Sequence, residues 1–332
     1  MDTKIKQIDE NSLILAKDII LCGGVVGIPT ETVYGIGANA FDTAAVESIF
    51  KIKGRPNDNP LIVHVHKDYD ILTLVKDIPD YAKLLAKAFL PGPLTMVYKS
   101  RGKVSEAVSC GLDTLAIRIP SHEGAQNFLK FVNLPIAAPS ANVSKHVSPT
   151  SAEHVFNDLN GKIELILDGG KCVGGIESTV LDCTGKIPVI LRSGLITRDM
   201  IAQVAGDCRE YVYKEGARAL SPGMKYKHYS PNCRTLMFFH EEIEKAVKEY
   251  NDELAKGVKA YILCDDNTAK LINVENVLNL GSTDNEIASN LYSKLREGEK
   301  IAELIIAVAP EKQDGVMVGV MNRLSKACAQ GK

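Results

Sequence analysis

The chain has little of what would staple or anchor a protein. Its 332 residues carry eight cysteines, scattered from Cys22 to Cys328, and no two stand in a C-x-x-C pair. A structural zinc site needs four ligands gathered at short spacing, so this scatter suggests none, and it argues against a disulfide framework. No apolar run reaches the roughly 18 residues of a membrane-spanning helix. The opening MDTKIKQIDENS lacks the apolar core of a secretory signal. Charge of one sign is lacking too. The 39 basic and 41 acidic side chains leave a net −2, which argues against coating nucleic acid by bulk charge but allows a local basic site. Two nucleotide fingerprints are missing: no G-x-x-x-x-G-K-[ST] occurs, and no G-x-G-x-x-G follows a strand. There is no internal repeat. The expectation is a soluble, reduced, cytoplasmic protein with no membrane span.

What is present is an ordinary globular composition, 45% hydrophobic and 24% charged, in a chain long enough for about two domains. Short apolar runs alternate with amphipathic segments over the first two hundred residues. VVGIP (25–29), LIVHV (61–65), LTMVY (94–98), LAIRI (115–119), PIAAP (135–139), ELILD (164–168), STVLD (178–182) and PVILR (188–192) read as strands. Residues 13–21, 43–51, 81–89 and 151–159 read as helices, and Thr197 caps another that ends near Gly206. This predicts an α/β fold with a large twisted mixed sheet, because STVLD and PVILR follow each other with no helix between. The pattern lapses over 208–233, where SPGMKYKHYSPNC mixes Lys, Tyr, His and Pro. It then restarts as strand, helix, strand, helix, the order of a small Rossmann-like parallel domain. The predicted organisation is 1–207, a linker over 208–233, and 234–332.

Four segments carry candidate chemistry. Pro29-Thr30-Glu31-Thr32-Val33-Tyr34-Gly35-Ile36-Gly37 follows a strand directly, where α/β proteins place ligands; the plain alternative is a strand-to-helix turn. Lys53-Gly54-Arg55-Pro56-Asn57-Asp58-Asn59-Pro60 is a stiff cationic loop fit for phosphate oxygens, or else a surface turn. Pro139-Ser140-Ala141-Asn142-Val143-Ser144 and Ser148 deliver hydroxyls and an amide ahead of a helix. Gly174-Gly175-Ile176-Glu177-Ser178-Thr179 has glycines that allow close approach to a ligand. His64 and His66 share one face of a strand. Arg118 inside LAIRIP demands an anion, from the protein or from a ligand carboxylate. Arg192 adds another candidate phosphate contact.

Together PTETVYGIG, KGRPNDNP, the H-x-H strand, LAIRIP, PSAN and ESTV resemble the YrdC-type family of threonylcarbamoyl-AMP synthases. SPGMKYKHYSP and GVMNRLSKA resemble its two-domain version. The resemblance implies a nucleotidyltransferase that turns L-threonine, bicarbonate or CO2, and ATP into threonylcarbamoyl-AMP and pyrophosphate, with Mg2+ accompanying ATP. It implies a hand-off to the tRNA threonylcarbamoyl transferase complex, for the adenosine beside the anticodon, and leaves room for a weak tRNA contact. It implies that Thr32, His64, Arg118, the backbone of Ala138 and Ser178 bind threonine. It places Lys53, Arg55, Asn59, Thr114, Ser140, Asn142, Ser148, Arg192 and Tyr229 around ATP, with Lys53, Arg55, Ser140 and Asn142 closest to the chemistry and no resident metal. Tyr229 would reach back from the linker. Two rivals stay open: an RNA-binding module, and the carbamoyl-transfer enzyme of hydrogenase maturation. The second carries paired C-x-x-C motifs that this sequence lacks.

Overall fold

A computed structural model of the chain describes residues 2–212 and 229–329. Alternation of side chains along its strands explains the first part. The strands are β1 (Lys4–Gln7), β2 (Val26–Ile28), β3 (Gly35–Asn39), β4 (Ile62–His64), β5 (Leu94–Lys99), β6 (Thr114–Arg118), β7 (Ile136–Ala137), β8 (Leu165–Asp168), β9 (Thr179–Asp182), β10 (Val189–Arg192) and β11 (Arg209–Glu210). Among the described residues they form one eleven-stranded mixed sheet in the order β1-β8-β2-β3-β7-β4-β6-β5-β9-β10-β11. Val26, Ile28, Ile136, Leu165 and Leu167 join one buried cluster with Ala16, Ile20, Phe128 and Leu129 of two covering helices. Their neighbours Ala137 and Ile166, with Ile36, Ala38 and Ile117, join a second cluster with Val46, Ile49 and Leu85. Period two in sequence has thus become two cores on a sheet.

Two helices are fixed by clear end signals. Residues Glu10–Leu21 start at Asp9, whose carboxylate accepts from Ser12 N at 2.7 Å in a capping box. Residues Thr43–Lys53 start at Asp42, which accepts from Ala45 N, and stop at Gly54 in the left-handed conformation. That stop leaves Lys53 on the last turn and turns the chain into the 55–60 loop.

The largest departure from the sequence reading lies at residues 29–37. This segment is neither a strand-to-helix turn nor wholly a loop. It closes a hairpin, with β2 and β3 antiparallel in the register Val26↔Gly37 and Ile28↔Gly35. Gly37 hid the strand, since strands disfavour glycine. Glycine is needed there because a Cβ would lie 2.6 Å from Ile136 Cγ2. The sequence reading also missed β1, β11 and the helix Glu123–Val132. The first two are short and exposed throughout, with Ile5 the one apolar side chain between them.

The second sheet contains β12 (Arg234–Phe238), β13 (Ala260–Cys264), β14 (Val277–Asn279) and β15 (Leu304–Val308), all parallel, in the order β12-β15-β13-β14. This matches the small parallel domain expected, with β14 and the helix Asp266–Leu271 as additions. Its core combines Ile262, Leu304 and Ile306 with Ala246 and Tyr250 of the helix Ile243–Ala255. Among the described residues, packing divides the chain into one unit of 2–144, 149–173 and 177–212, and another of 145–148, 174–176 and 229–329. The segment 213–228, which contains most of the expected linker, lies outside the described residues.

Candidate active site

Strand register assembles the first half of the site. Arg118, at the end of β6, pairs across with Thr95 of β5 and with His64 of β4, and His64 in turn pairs with Ile136 of β7. Thr95, Arg118 and His64 therefore form one transverse row in the sheet. All three are buried. The anion that buried Arg118 demands is supplied by the protein: Nη2 donates to Glu31 Oε1 at 2.8 Å, with the residues only 3% and 7% exposed. Burial pushes the Glu31 carboxyl up, but the charge and hydrogen bond of Arg118 outweigh it and hold it below the usual carboxylate range. Burial, reinforced by Arg118, pushes His64 down to about 3, so the ring is neutral at physiological pH. Its Nδ1 lies 3.3 Å from the carbonyl of Ile62.

The pairing is incomplete. Arg118 Nε and Glu31 Oε2 are both buried with no hydrogen-bond partner among the described residues. Such atoms are costly unless something else satisfies them. Hydroxyls stand at neighbouring positions: Thr30 and Thr32 flank Glu31 in sequence, and Thr95 pairs across from Arg118. Thr30 Oγ1 lies 2.9 Å from Thr32 Oγ1 and donates to the carbonyl of Val33 at 2.6 Å, which shapes the loop that carries Glu31. Ser178 Oγ lies 2.8 Å from Thr95 Oγ1. Arg192 points to the same place, donating through Nη2 to the Ser178 carbonyl at 2.9 Å and to its hydroxyl at 3.2 Å. The Ala138 N–H is committed to the Ile62 carbonyl at 2.9 Å.

Loops, not strands, assemble the second half. The Lys53 ammonium reaches from its helix to the carbonyls of both Ser140 and Asn142. Ser140 Oγ donates to Asn142 Oδ1 at 2.6 Å, and Asn142 Nδ2 donates to the Val143 carbonyl at 2.8 Å. Ser144 N closes the circle on the Lys53 carbonyl at 2.8 Å. Two more backbone bonds tie this loop to the first motif: Ile36 N to Pro139 O at 3.0 Å and Ala141 N to Tyr34 O at 2.8 Å. Three segments distant in sequence thus share one framework. Arg55 folds back through Nη2 on the carbonyls of Asn59 and Pro60, at 2.9 and 3.2 Å. Asn59 is fully buried, yet neither Nδ2 nor Oδ1 has a partner among the described residues. Beside Lys53 lies an open cavity of about 480 Å³ lined by Lys51, Ile52, Lys53, Gly54, Val143 and Lys162. Thr114 opens β6 opposite Lys99, half-buried.

The remaining expected residues fall in the second unit. Ser148 is buried there, and Tyr229 stacks on Tyr292 with ring centroids 5.3 Å apart. Gly175, read as making room for a ligand, makes room for a helix instead: a Cβ there would lie 2.3 Å from the carbonyl of Ala288. His66 hydrogen-bonds Asn133 Oδ1 at 3.0 Å. Glu31, Thr30 and Thr95 were not singled out by sequence as site residues. Glu31 lies in a quoted motif, but no spacing rule connects positions 31 and 118.

Comparison with known proteins follows this division. Residues 18–194 match the family profile Sua5/YciO/YrdC, described as telomere recombination, and residues 196–329 match the C-terminal domain of threonylcarbamoyl-AMP synthase. The threonylcarbamoyl-AMP synthase of Pyrococcus abyssi is 41% identical, over 97% of this chain and 95% of its own length. That of Bacillus subtilis is 40% identical, over 91% and 89%. The crystal structure of P. abyssi Sua5 complexed with L-threonine is 39% identical, with a TM-score of 0.91 over 99% of this chain and 98% of that one.

Proposed function

The chain belongs to the threonylcarbamoyl-AMP synthase family, and from that premise we propose that it makes threonylcarbamoyl-AMP and pyrophosphate from L-threonine, bicarbonate or CO2, and ATP. The observation that carries the reading is the buried Arg118–Glu31 pair with one donor and one acceptor unmet. A donor on a cation and an acceptor on an anion suit a small zwitterion, and the hydroxyl-bearing residues at neighbouring positions suit a hydroxyl side chain. Arg118 would take the threonine carboxylate through its remaining edge. Thr32, His64, Ser178 and the Ala138 backbone would shape the rest of the pocket.

The chemistry asks for positioning more than for proton transfer. The threonine ammonium first gives a proton to solvent, the free amine attacks CO2 and sheds a second proton to solvent to give a carbamate, and a carbamate oxygen then displaces pyrophosphate in line from the α-phosphorus. Lys53, Arg55, Ser140 and Asn142 would orient and neutralise the triphosphate, with Asn59, Thr114, Ser148, Arg192 and Tyr229 as further nucleotide contacts. Mg2+ bound by ATP supplies charge neutralisation on the phosphates. The ion would ride on the phosphates, and Asn59 Oδ1, which has no partner among the described residues, is an oxygen this chain can add.

No helix among the described residues is long and apolar enough to cross a membrane. With this function go work in the cytoplasm, delivery of the product to the tRNA threonylcarbamoyl transferase complex, and at most a weak contact with tRNA. Incubation with labelled bicarbonate, ATP, Mg2+ and L-threonine should yield a labelled adenylate that separates from ATP on chromatography. Label appearing only when threonine is present supports the reading; label in no adenylate overturns it.

A further inference from the structure

Assigning threonine to the pocket gives Arg118 a ligand for its open edge but leaves the other half of the pair unexplained. Glu31 is 7% exposed, one carboxylate oxygen is held by Arg118 at 2.8 Å, and the other has no partner among the described residues. Stabilising Arg118 alone does not require that arrangement, because a carboxylate can grip a guanidinium with both oxygens. The titratable groups beside the pair add no charge to it. His64 is neutral, and burial pushes the Cys172 thiol, close enough to feel both charges, up to about 12. The pair therefore offers a ligand one cation and one anion. A carboxylic acid without an amino group would satisfy the cation and leave the anion unmatched.

We propose that Glu31 is the counter-charge for the ammonium group of the incoming amino acid, and so makes this site select 2-amino acids over 2-hydroxy acids. Arg118 takes the carboxylate and Glu31 Oε2 takes the ammonium, so the pair offers one partner to each end of a zwitterion. This rests on the assignment of the Arg118 pocket to threonine, and it adds a specificity residue to it.

The test is calorimetric binding to the full chain of L-threonine and of its isostere, the 2,3-dihydroxybutanoate of the same stereochemistry in which a hydroxyl replaces the ammonium. The wild type should prefer threonine by about a hundredfold, because the isostere's hydroxyl can still donate to Glu31 Oε2 but brings no charge to balance it. Glu31→Gln should bring that ratio close to one, mainly by weakening threonine. Glu31→Asp, which keeps the charge, should retain most of the preference. Equal affinity of the wild type for both compounds would overturn the proposal without any variant, which covers the case in which Glu31→Gln does not fold. An unchanged ratio in folded Glu31→Gln would overturn it too, because a residue that only steadies Arg118 weakens both ligands alike. Failure of the wild type to bind threonine at all would instead count against the threonine assignment itself.

Discussion

The two halves of the site are built differently. Strands deliver Thr95, Arg118 and His64, and the charge in that row is balanced inside the protein by Glu31. The Lys53, Ser140 and Asn142 half is delivered by a helix end and a loop, and its ammonium is seated on the backbone carbonyls of Ser140 and Asn142. The first arrangement carries its own counter-charge and suits a ligand with no net charge; the second gathers an ammonium, a hydroxyl and an amide, groups that suit phosphate oxygens. The proposal gives one substrate to each half.

Breaking the half proposed for the nucleotide should have the largest effect. Lys53→Ala removes the charge and also the tie from its helix to the carbonyls of Ser140 and Asn142, so turnover should fall about a hundredfold or more while the chain still melts cooperatively. The loss should appear as weakened use of ATP, with threonine binding kept in calorimetry. A defect confined to threonine would dissolve the division. Arg118→Met comes next. It leaves Glu31 as a buried unpaired anion, which costs about 3–5 kcal/mol of stability, and threonine saturation should be lost with ATP binding within about twofold of wild type. An equal loss of ATP binding would show that the two halves act as one. Ser178→Ala sharpens the boundary, because Ser178 touches both Thr95 and Arg192. Its loss should cost about tenfold in activity, the value of one or two hydrogen bonds; no loss would remove it from the site.

The smallest effect concerns pH. The folded protein holds His64 at about 3, below its ordinary 6.5, so between those values the unfolded chain binds more protons than the folded one. Stability should rise with pH through this window and fall as pH drops below about 6.5. His64→Gln should flatten that slope in thermal melts between pH 7 and pH 5. An activity profile with an inflection near neutrality that disappears in His64→Gln would contradict a neutral His64.

Much of this was legible in the sequence, for identifiable reasons. Short apolar runs exposed β2, β4, β5, β6, β7, β8, β9 and β10, and three strands of the second sheet followed from its restarted pattern. The strand β3 was hidden because Gly35 and Gly37 erase the alternation, and glycine stands at 37 to admit Ile136. Arg118 announced a need for an anion, but only the sheet register could place it beside Thr95 and His64, and only the hairpin could bring Glu31 to it. Similarly, K-x-R and S-x-N were visible as separate motifs. Their union through the Lys53 ammonium depends on where the helix Thr43–Lys53 ends, which Gly54 decides. Gly175 misled because close approach to a helix and close approach to a ligand demand the same residue.

The proposed reaction can be challenged in one assay: pyrophosphate release by the wild-type chain, with Mg2+, ATP and bicarbonate and each amino acid in turn. Release should require both bicarbonate and L-threonine, and should be weak with amino acids lacking the side-chain hydroxyl. Release at the same rate without threonine would show that the chain does not make threonylcarbamoyl-AMP by this route.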